Sequence, residues 1–366
     1  MPDRITPDQL LPLLAADTTF IDVRAPIEFA QGHVPGALNR PLMTDDERHR
    51  VGLCYKQQGQ KAAVALGHKL VSGEVKAARV QAWLEAAAQP DKTLLYCARG
   101  GMRSSISQSW MHEAGLDLPL VQGGYKTLRH TLMAQNARFD DTADCIVVAG
   151  RTGAGKTKVI EASGNALDLE ALANHRGSAF GRRTTAQPSQ ANFENALAMA
   201  TLHIDLQRPV VLEDESRNIG SVHLSQRLAE RIKTAPVVML DVSMAERVEV
   251  ILQDYVIGLQ AEYRQQFGAD GFARYRDYME GALARVSRRL GGLLYQRIDD
   301  ELRFALQHQA ATGALDAHGV WIESLLRDYY DRMYDYQWHK SPRDVLFSGG
   351  RQELIAYLNE RQNGNS

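Results

Sequence analysis

The stretch Cys145-Ile146-Val147-Val148-Ala149-Gly150-Arg151-Thr152-Gly153-Ala154-Gly155-Lys156-Thr157 passes from an uninterrupted apolar run into the pattern G-x-x-x-x-G-K-[ST]. The run predicts a buried strand, and Lys158-Val159-Ile160-Glu161-Ala162 after the motif predicts a helix. Strand, glycine-rich turn and helix in that order make a loop whose backbone N–H groups converge on phosphate oxygens. Gly150, Gly153 and Gly155 supply the backbone freedom, Lys156 reaches the terminal phosphates, and Thr157 offers a hydroxyl to Mg²⁺. The positive end of the helix dipole adds to the attraction. An acidic partner is expected at the end of another strand. Val210-Val211-Leu212-Glu213-Asp214-Glu215 has that form, so Asp214 or Glu215 could hold a magnesium-bound water. The motif specifies phosphates, and no feature of the sequence marks an adenine or guanine pocket.

Upstream, Lys92-Thr93-Leu94-Leu95-Tyr96 predicts a second buried strand. It ends at Cys97-Ala98-Arg99-Gly100-Gly101-Met102-Arg103-Ser104, with a helix expected from Ser104 to Ala114. A thiol placed between a strand end and a helix start faces loop amides and a helix N-terminus, and both favour the thiolate. Arg99 and Arg103 add positive charge, while Gly100 and Gly101 let the backbone curl around an anion. The chain therefore carries two different cradles for phosphate-like groups, one of them with a nucleophile inside. Cys145 reads as a core residue of its strand. Cys54, near Lys56, carries a weaker signal for chemistry than Cys97 does.

Composition narrows the setting. The 366 residues suit two domains, and 44% hydrophobic with 23% charged residues is ordinary for globular protein. Three scattered cysteines make neither a disulfide framework nor a zinc site, which implies a reducing compartment. No stretch is long and apolar enough to span a membrane, and the start lacks a secretory signal pattern, so a cytoplasmic location is expected. Lys and Arg number 42 against 44 Asp and Glu. No global positive field announces nucleic acid, yet a local basic stripe would be enough to bind it.

Strands alternating with helices predict an α/β protein with parallel sheets. Residues 1–135 form the first expected domain, which includes a strand at Thr19-Phe20-Ile21-Asp22-Val23. The polar stretch 136–144 reads as a linker, 145–243 as the phosphate-loop domain, and 244–366 as a mostly helical C-terminal extension.

Phe20-Ile21-Asp22-Val23-Arg24, Glu28-Phe29 and Gly32-His33-Val34-Pro35-Gly36-Ala37, followed by the cysteine loop, resemble a rhodanese domain. The resemblance places Cys97 at the position of that family's sulfur-carrying cysteine. Here Arg103 lies six residues after the cysteine where the common rhodanese loop has its arginine at five. The longer Cys-x5-Arg-Ser loop is similar to phosphatase and arsenate-reductase relatives of the fold, whose wider cradle admits a tetrahedral oxyanion. A rhodanese domain joined to a phosphate-loop domain resembles the tRNA 2-selenouridine synthase family. Tyr55-Lys56-Gln57-Gln58-Gly59, Arg176-Gly177-Ser178, Gln187-Pro188-Ser189-Gln190 and Leu212-Glu213-Asp214-Glu215-Ser216-Arg217 extend that resemblance over nearly the whole chain.

The resemblance implies a transferase with tRNA as substrate. It implies no tightly bound cofactor, two co-substrates, geranyl diphosphate and selenophosphate, and a selenophosphate-producing enzyme as a partner. The wobble 2-thiouridine would first be S-geranylated at the phosphate loop, turning a poor leaving group into a good one. Selenium, carried on Cys97 as a selenenylsulfide, would then replace the S-geranyl group, with Arg103 and the loop amides holding the phosphate of the donor. The competing enzyme reading is a Cys-x5-Arg phosphatase fused to a nucleotide-binding, kinase-like domain. A nucleotide-gated binding protein is the non-enzymatic one. Arg182 and Arg183 beside Gln187, the series Arg285, Arg288, Arg289 and Arg297, and the aromatic stretch from Tyr329 to Lys340 are the candidate RNA contacts.

Overall fold

Residues 4–364 are described by a computed structural model, which divides into two compact units: Met1–Phe139 with Pro188–His203, and Asp140–Gln187 with Ile204–Ser366.

The first unit is built on a five-stranded parallel sheet of β1 (Arg4–Ile5), β2 (Thr19–Asp22), β3 (Leu38–Asn39), β4 (Thr93–Tyr96) and β5 (Leu120–Val121), in the order β1-β5-β4-β2-β3. Every residue of β4 is buried, as expected of a central parallel strand covered on both faces. The Asp22-Val23-Arg24 signature is structural. Arg24 pairs with Asp22 at 2.6 Å, both of them buried, donates to the Gly32 carbonyl at 2.6 Å and lies 4.0 Å from the centre of the Tyr125 ring. Those contacts fix the turn after β2.

The second unit holds β6 (Cys145–Ala149), β7 (Ala166–Leu167), β8 (Val210–Glu213), the hairpin of β9 (Asn218–Ile219) and β10 (Val222–His223), β11 (Val237–Leu240) and β12 (Val345–Gly349). Its main sheet is parallel, in the order β12-β11-β6-β8-β7. A helical layer from Met244 to Lys340 forms its own core around Tyr275, Met279, Leu302 and Trp321. Two segments of this layer, Leu252–Gly258 and Leu326–Tyr330, are π-helical.

The expected boundaries shift in two places. Residues 136–142 are the end of the helix Gly124–Thr142 where a linker was expected. Arg138, Asp141 and Thr142 are exposed there, while Phe139 and Asp140 are buried. Residues 188–203, expected inside the phosphate-loop domain, join the first unit as the helix Gln190–Thr201. There Asn195 accepts from Arg129 at 2.6 Å, and Ala198 packs with Leu128 and Leu132. The region after 243 is mostly helical, as expected, and β12 within it returns to the sheet edge beside β11. Among the described residues no helix is long and apolar enough to cross a membrane.

Candidate functional site

Both cradles sit where a central parallel strand ends, the position at which open α/β sheets bind ligands. In the first unit β4 delivers Cys97 into the turn before the helix Met102–Glu113. The thiol is only 3% exposed, with hydrocarbon from Ile21, Leu95 and Met111 in its cluster. Its other side is polar. Ser104 Oγ lies 3.2 Å from the sulfur and 3.0 Å from the Gly101 carbonyl, so the single hydroxyl proton has two acceptors and turns to sulfur when sulfur is charged. Burial works to raise the thiol pKa. The Ser104 hydroxyl and the backbone amides of Arg99, Ser104 and Gly101 outweigh it, and the net shift is downward. Cys145 shows the opposite outcome, pushed up to about 11 by burial. Cys54 is buried on the long helix Asp45–Leu70.

A test of this electrostatic origin follows. The rate of Cys97 alkylation by iodoacetamide is expected to rise with pH through an inflection below the ordinary thiol value. In Ser104→Ala that inflection should move upward, since the thiolate loses a donor. Peptide mapping across a pH series measures both, and an unmoved inflection would remove Ser104 from the account.

The turn Gly123-Gly124 braces the cradle. Tyr125 N–H donates to the Cys97 carbonyl at 2.8 Å and Lys126 N–H to that of Ala98 at 3.1 Å. A Cβ on Gly124 would lie 2.2 Å from the Cys97 carbonyl oxygen, so only glycine permits this approach. Arg103 is not aimed freely at the thiol. Its fork makes bonds of 2.6 and 3.1 Å to Glu28, which also takes Arg48 Nε at 2.9 Å. Two of its five donors are thus committed, and the remainder can serve an anion. The Arg99 side chain is exposed.

In the second unit β6 feeds Gly150, and the helix Lys156–Glu161 follows Gly155, whose φ of 83° is left-handed. Lys156 Nζ donates to the Gly150 carbonyl at 3.1 Å, lying along the loop. Thr157 is half-buried at the start of that helix. Arg247 Nε donates to the Thr152 carbonyl at 2.9 Å while its fork grips Asp331 at 2.6 and 2.9 Å, an almost fully buried pair. Arg151 pairs with Asp335 at 2.8 Å. Sequence reading missed another cation here. A Cβ on Gly155 would sit 3.0 Å from the guanidinium of Arg351, so this arginine from the C-terminal helix lies against the loop, and its buried Nε has no partner.

Of the two expected carboxylates, Glu215 lies near Lys156, together with Glu170. Asp214 is held by Arg343 at 2.5 Å. Glu215 bonds to the Glu170 side chain, and the Glu170 amide donates to Glu213 at 3.1 Å; a Cβ on Gly177 would fall 2.5 Å from Glu170 and 2.4 Å from Glu215. Burial first, and then the charge of Glu170, pushes Glu213 up to about 9 and Glu215 up to about 8. Both shifts favour the protonated carboxyls. Among the described residues no group of three or more His, Cys, Asp or Glu side chains is arranged to hold a metal ion. With Asp214 taken by Arg343, Thr157 and Glu215 are the residues that would hold a phosphate-bound magnesium ion.

Of the RNA candidates, Arg182 and Arg183 line a polar cavity of about 650 Å³ with His175 and Arg285. Gln187 also borders it, but its amide is spent internally, donating to Ala173 and Ile219 and accepting from Ser221. Arg297 pairs with Asp328. Tyr329 and Tyr330 are core residues, whereas Tyr336 is exposed.

The family model described as tRNA 2-selenouridine synthase AAA domain matches residues 143–365, and the one described as Rhodanese-like domain matches residues 6–131. A Marinobacter nauticus protein named tRNA 2-selenouridine synthase is 46% identical over 364 residues, covering 99% of each chain. A protein of the same name from Cupriavidus necator is 49% identical over 350 residues, covering 94% of this chain and 95% of its own.

Proposed function

The chain belongs to the tRNA 2-selenouridine synthase family, and from that premise we propose that it converts 2-thiouridine in tRNA to 2-selenouridine by S-geranylation with geranyl diphosphate followed by selenation with selenophosphate. The observation that carries this reading is the pair of cradles: a glycine-rich loop with Lys156 lying along it in one unit and an amide-ringed thiol of lowered pKa in the other.

In the first step the thiocarbonyl sulfur attacks C1 of the geranyl group, the C–O bond breaks, and pyrophosphate leaves with the electron pair. The N3 proton of the ring is released. Loop amides, Lys156 and Arg351 surround the position where charge develops. Apolar side chains border the loop. Thr152 and Ser178 stand at a narrow apolar cleft of about 20 Å³ lined by Phe180, Tyr255, Trp321 and Tyr330. Tyr255 and Tyr330 belong to the two π-helical segments, irregularities that recur at functional sites.

The second step must balance its electrons. Selenium in selenophosphate is already at the selenide level, so forming an S–Se bond to Cys97 would require an oxidant. A redox-neutral route uses the thiol as a phosphoryl acceptor. The Cys97 thiolate attacks phosphorus, the S–P bond forms, the P–Se bond breaks, and selenide departs beside the bound base. Selenide adds at C2, the C2–S bond breaks, and the geranylthiolate leaves. Water then hydrolyses the phosphocysteine to phosphate and thiol. Ser104 suits this cycle, because its hydroxyl stabilises the thiolate both as nucleophile and as leaving group.

The experiment follows the nucleoside. Purified protein is incubated with tRNA bearing 2-thiouridine, with geranyl diphosphate and then selenophosphate, and nucleosides are identified by mass after each addition. S-geranyl-2-thiouridine and then 2-selenouridine are expected. Rapid hydrolysis of a generic aryl phosphate with no change in the tRNA would instead select the phosphatase reading.

A further inference from the structure

Beside the thiol cradle of the first unit lies an open groove of about 730 Å³, within the size range of small-molecule sites. The helix Asp45–Leu70 breaks its path at Gly59 (φ 80°, ψ −179°), and residues on both sides of the break, Leu53 and Val64 among them, line the groove with Ile106 and Trp110. Its far wall begins at Met102, the residue directly after Gly101, whose amide faces the Cys97 sulfur. Leu53 is 46% exposed, Tyr55 57% and Met102 44%, so apolar surface stands in water there. The lining carries Arg48, Lys56 and Arg103 and no carboxylate; Glu28 outside it pairs with both arginines, so Lys56 and the uncommitted N–H groups of the arginines are what it offers an anion. Hydrocarbon walls with a cationic rim complement one kind of ligand, an alkyl chain attached to a polyanion.

We propose that this groove binds the prenyl chain of S-prenylated 2-thiouridine in tRNA during selenium insertion, with neighbouring RNA phosphates against Arg48 and Lys56. The proposal rests on the two-step reading above. Anchoring the tail brings the C2–S bond to the mouth of the thiol cradle, and the departing prenylthiolate stays in a hydrocarbon environment. The groove thereby selects the alkylated nucleotide over its unmodified precursor, so selenide attacks only bases already primed to lose sulfur.

The test compares affinities of the full-length chain for RNA stem-loops carrying S-geranyl-2-thiouridine or S-methyl-2-thiouridine. Wild-type protein is expected to prefer the geranyl RNA by about tenfold or more. Val64→Trp, which fills the groove, and Leu53→Asp, which charges it, should each collapse that ratio toward one. Because the readout is a ratio on one sample, loss of folded protein cancels. Retention of the wild-type ratio by both variants would overturn the proposal. So would effective competition for the groove by geranyl diphosphate alone, which would give the site to the donor. A preference that vanishes as protein concentration rises would give the surface to a second copy of the chain, again against the proposal. Failure of wild-type protein to convert 2-thiouridine at all would sink the two-step reading, an outcome separate from these binding ratios.

Discussion

Lys156→Ala is expected to slow S-geranylation by roughly a hundred- to a thousandfold, the usual cost of deleting a donor aimed at developing negative charge. The second step should be untouched: tRNA already carrying the S-geranyl group should still become 2-selenouridine at the wild-type rate. Lys156 reaches back to the Gly150 carbonyl and so lies where a diphosphate would meet the loop amides. It also faces Glu170 and Glu215, whose burial favours their neutral forms. Burial disfavours charge on Glu215, which lessens its repulsion of an arriving diphosphate. Arg351 remains beside Gly155 in the variant, and some catalysis should survive because of it. Nucleoside mass analysis with each substrate separates the two steps. Undiminished geranyl transfer would show that the loop does not hold the donor.

Both cradles were legible because each is local: an apolar strand, a turn with its functional residues, and a helix lie within one continuous stretch. What holds them was not legible. Glu28, which grips Arg103, lies 75 positions from it, and Asp331 lies 84 positions from Arg247. Parallel sheets connect neighbouring strands through crossovers, so the supports of a loop come from distant chain segments. β12 escaped for a different reason. As an edge strand it is half-exposed and carries Ser348 and Gly349, without the uninterrupted apolar run that marked β4 and β6. The helix Gln190–Thr201 was placed with its sequence neighbours, yet its polar side chains join the first unit. Asn192 accepts from the His33 amide at 2.9 Å and Asn195 donates to the His33 carbonyl at 2.6 Å. Hydrophobic periodicity carries no information about such partners.

Cys97→Ala should abolish selenium incorporation, by about a thousandfold or more, as expected when a nucleophile is deleted, while S-geranyl-2-thiouridine accumulates in the tRNA. The sulfur is the atom at which the Arg99, Gly101 and Ser104 amides and the Ser104 hydroxyl converge, and an alanine methyl offers them nothing to stabilise. Cys97→Ser sharpens the argument. A hydroxyl is far less acidic than a thiol, so the cradle that yields a thiolate leaves serine protonated, and the second step should fall nearly as far as with alanine. Acid quenching of the wild-type reaction with phosphorus-labelled selenophosphate then identifies what the thiol accepts. Label on the Cys97 peptide that resists thiol reductants is a phosphoryl group. Selenium on that peptide, released by reductant, would restore the selenenylsulfide carrier and require an oxidant to be found. Selenium entering tRNA at the wild-type rate without the thiol would remove Cys97 from the chemistry altogether, leaving the cradle as a site that binds the donor and lets selenophosphate attack C2 directly.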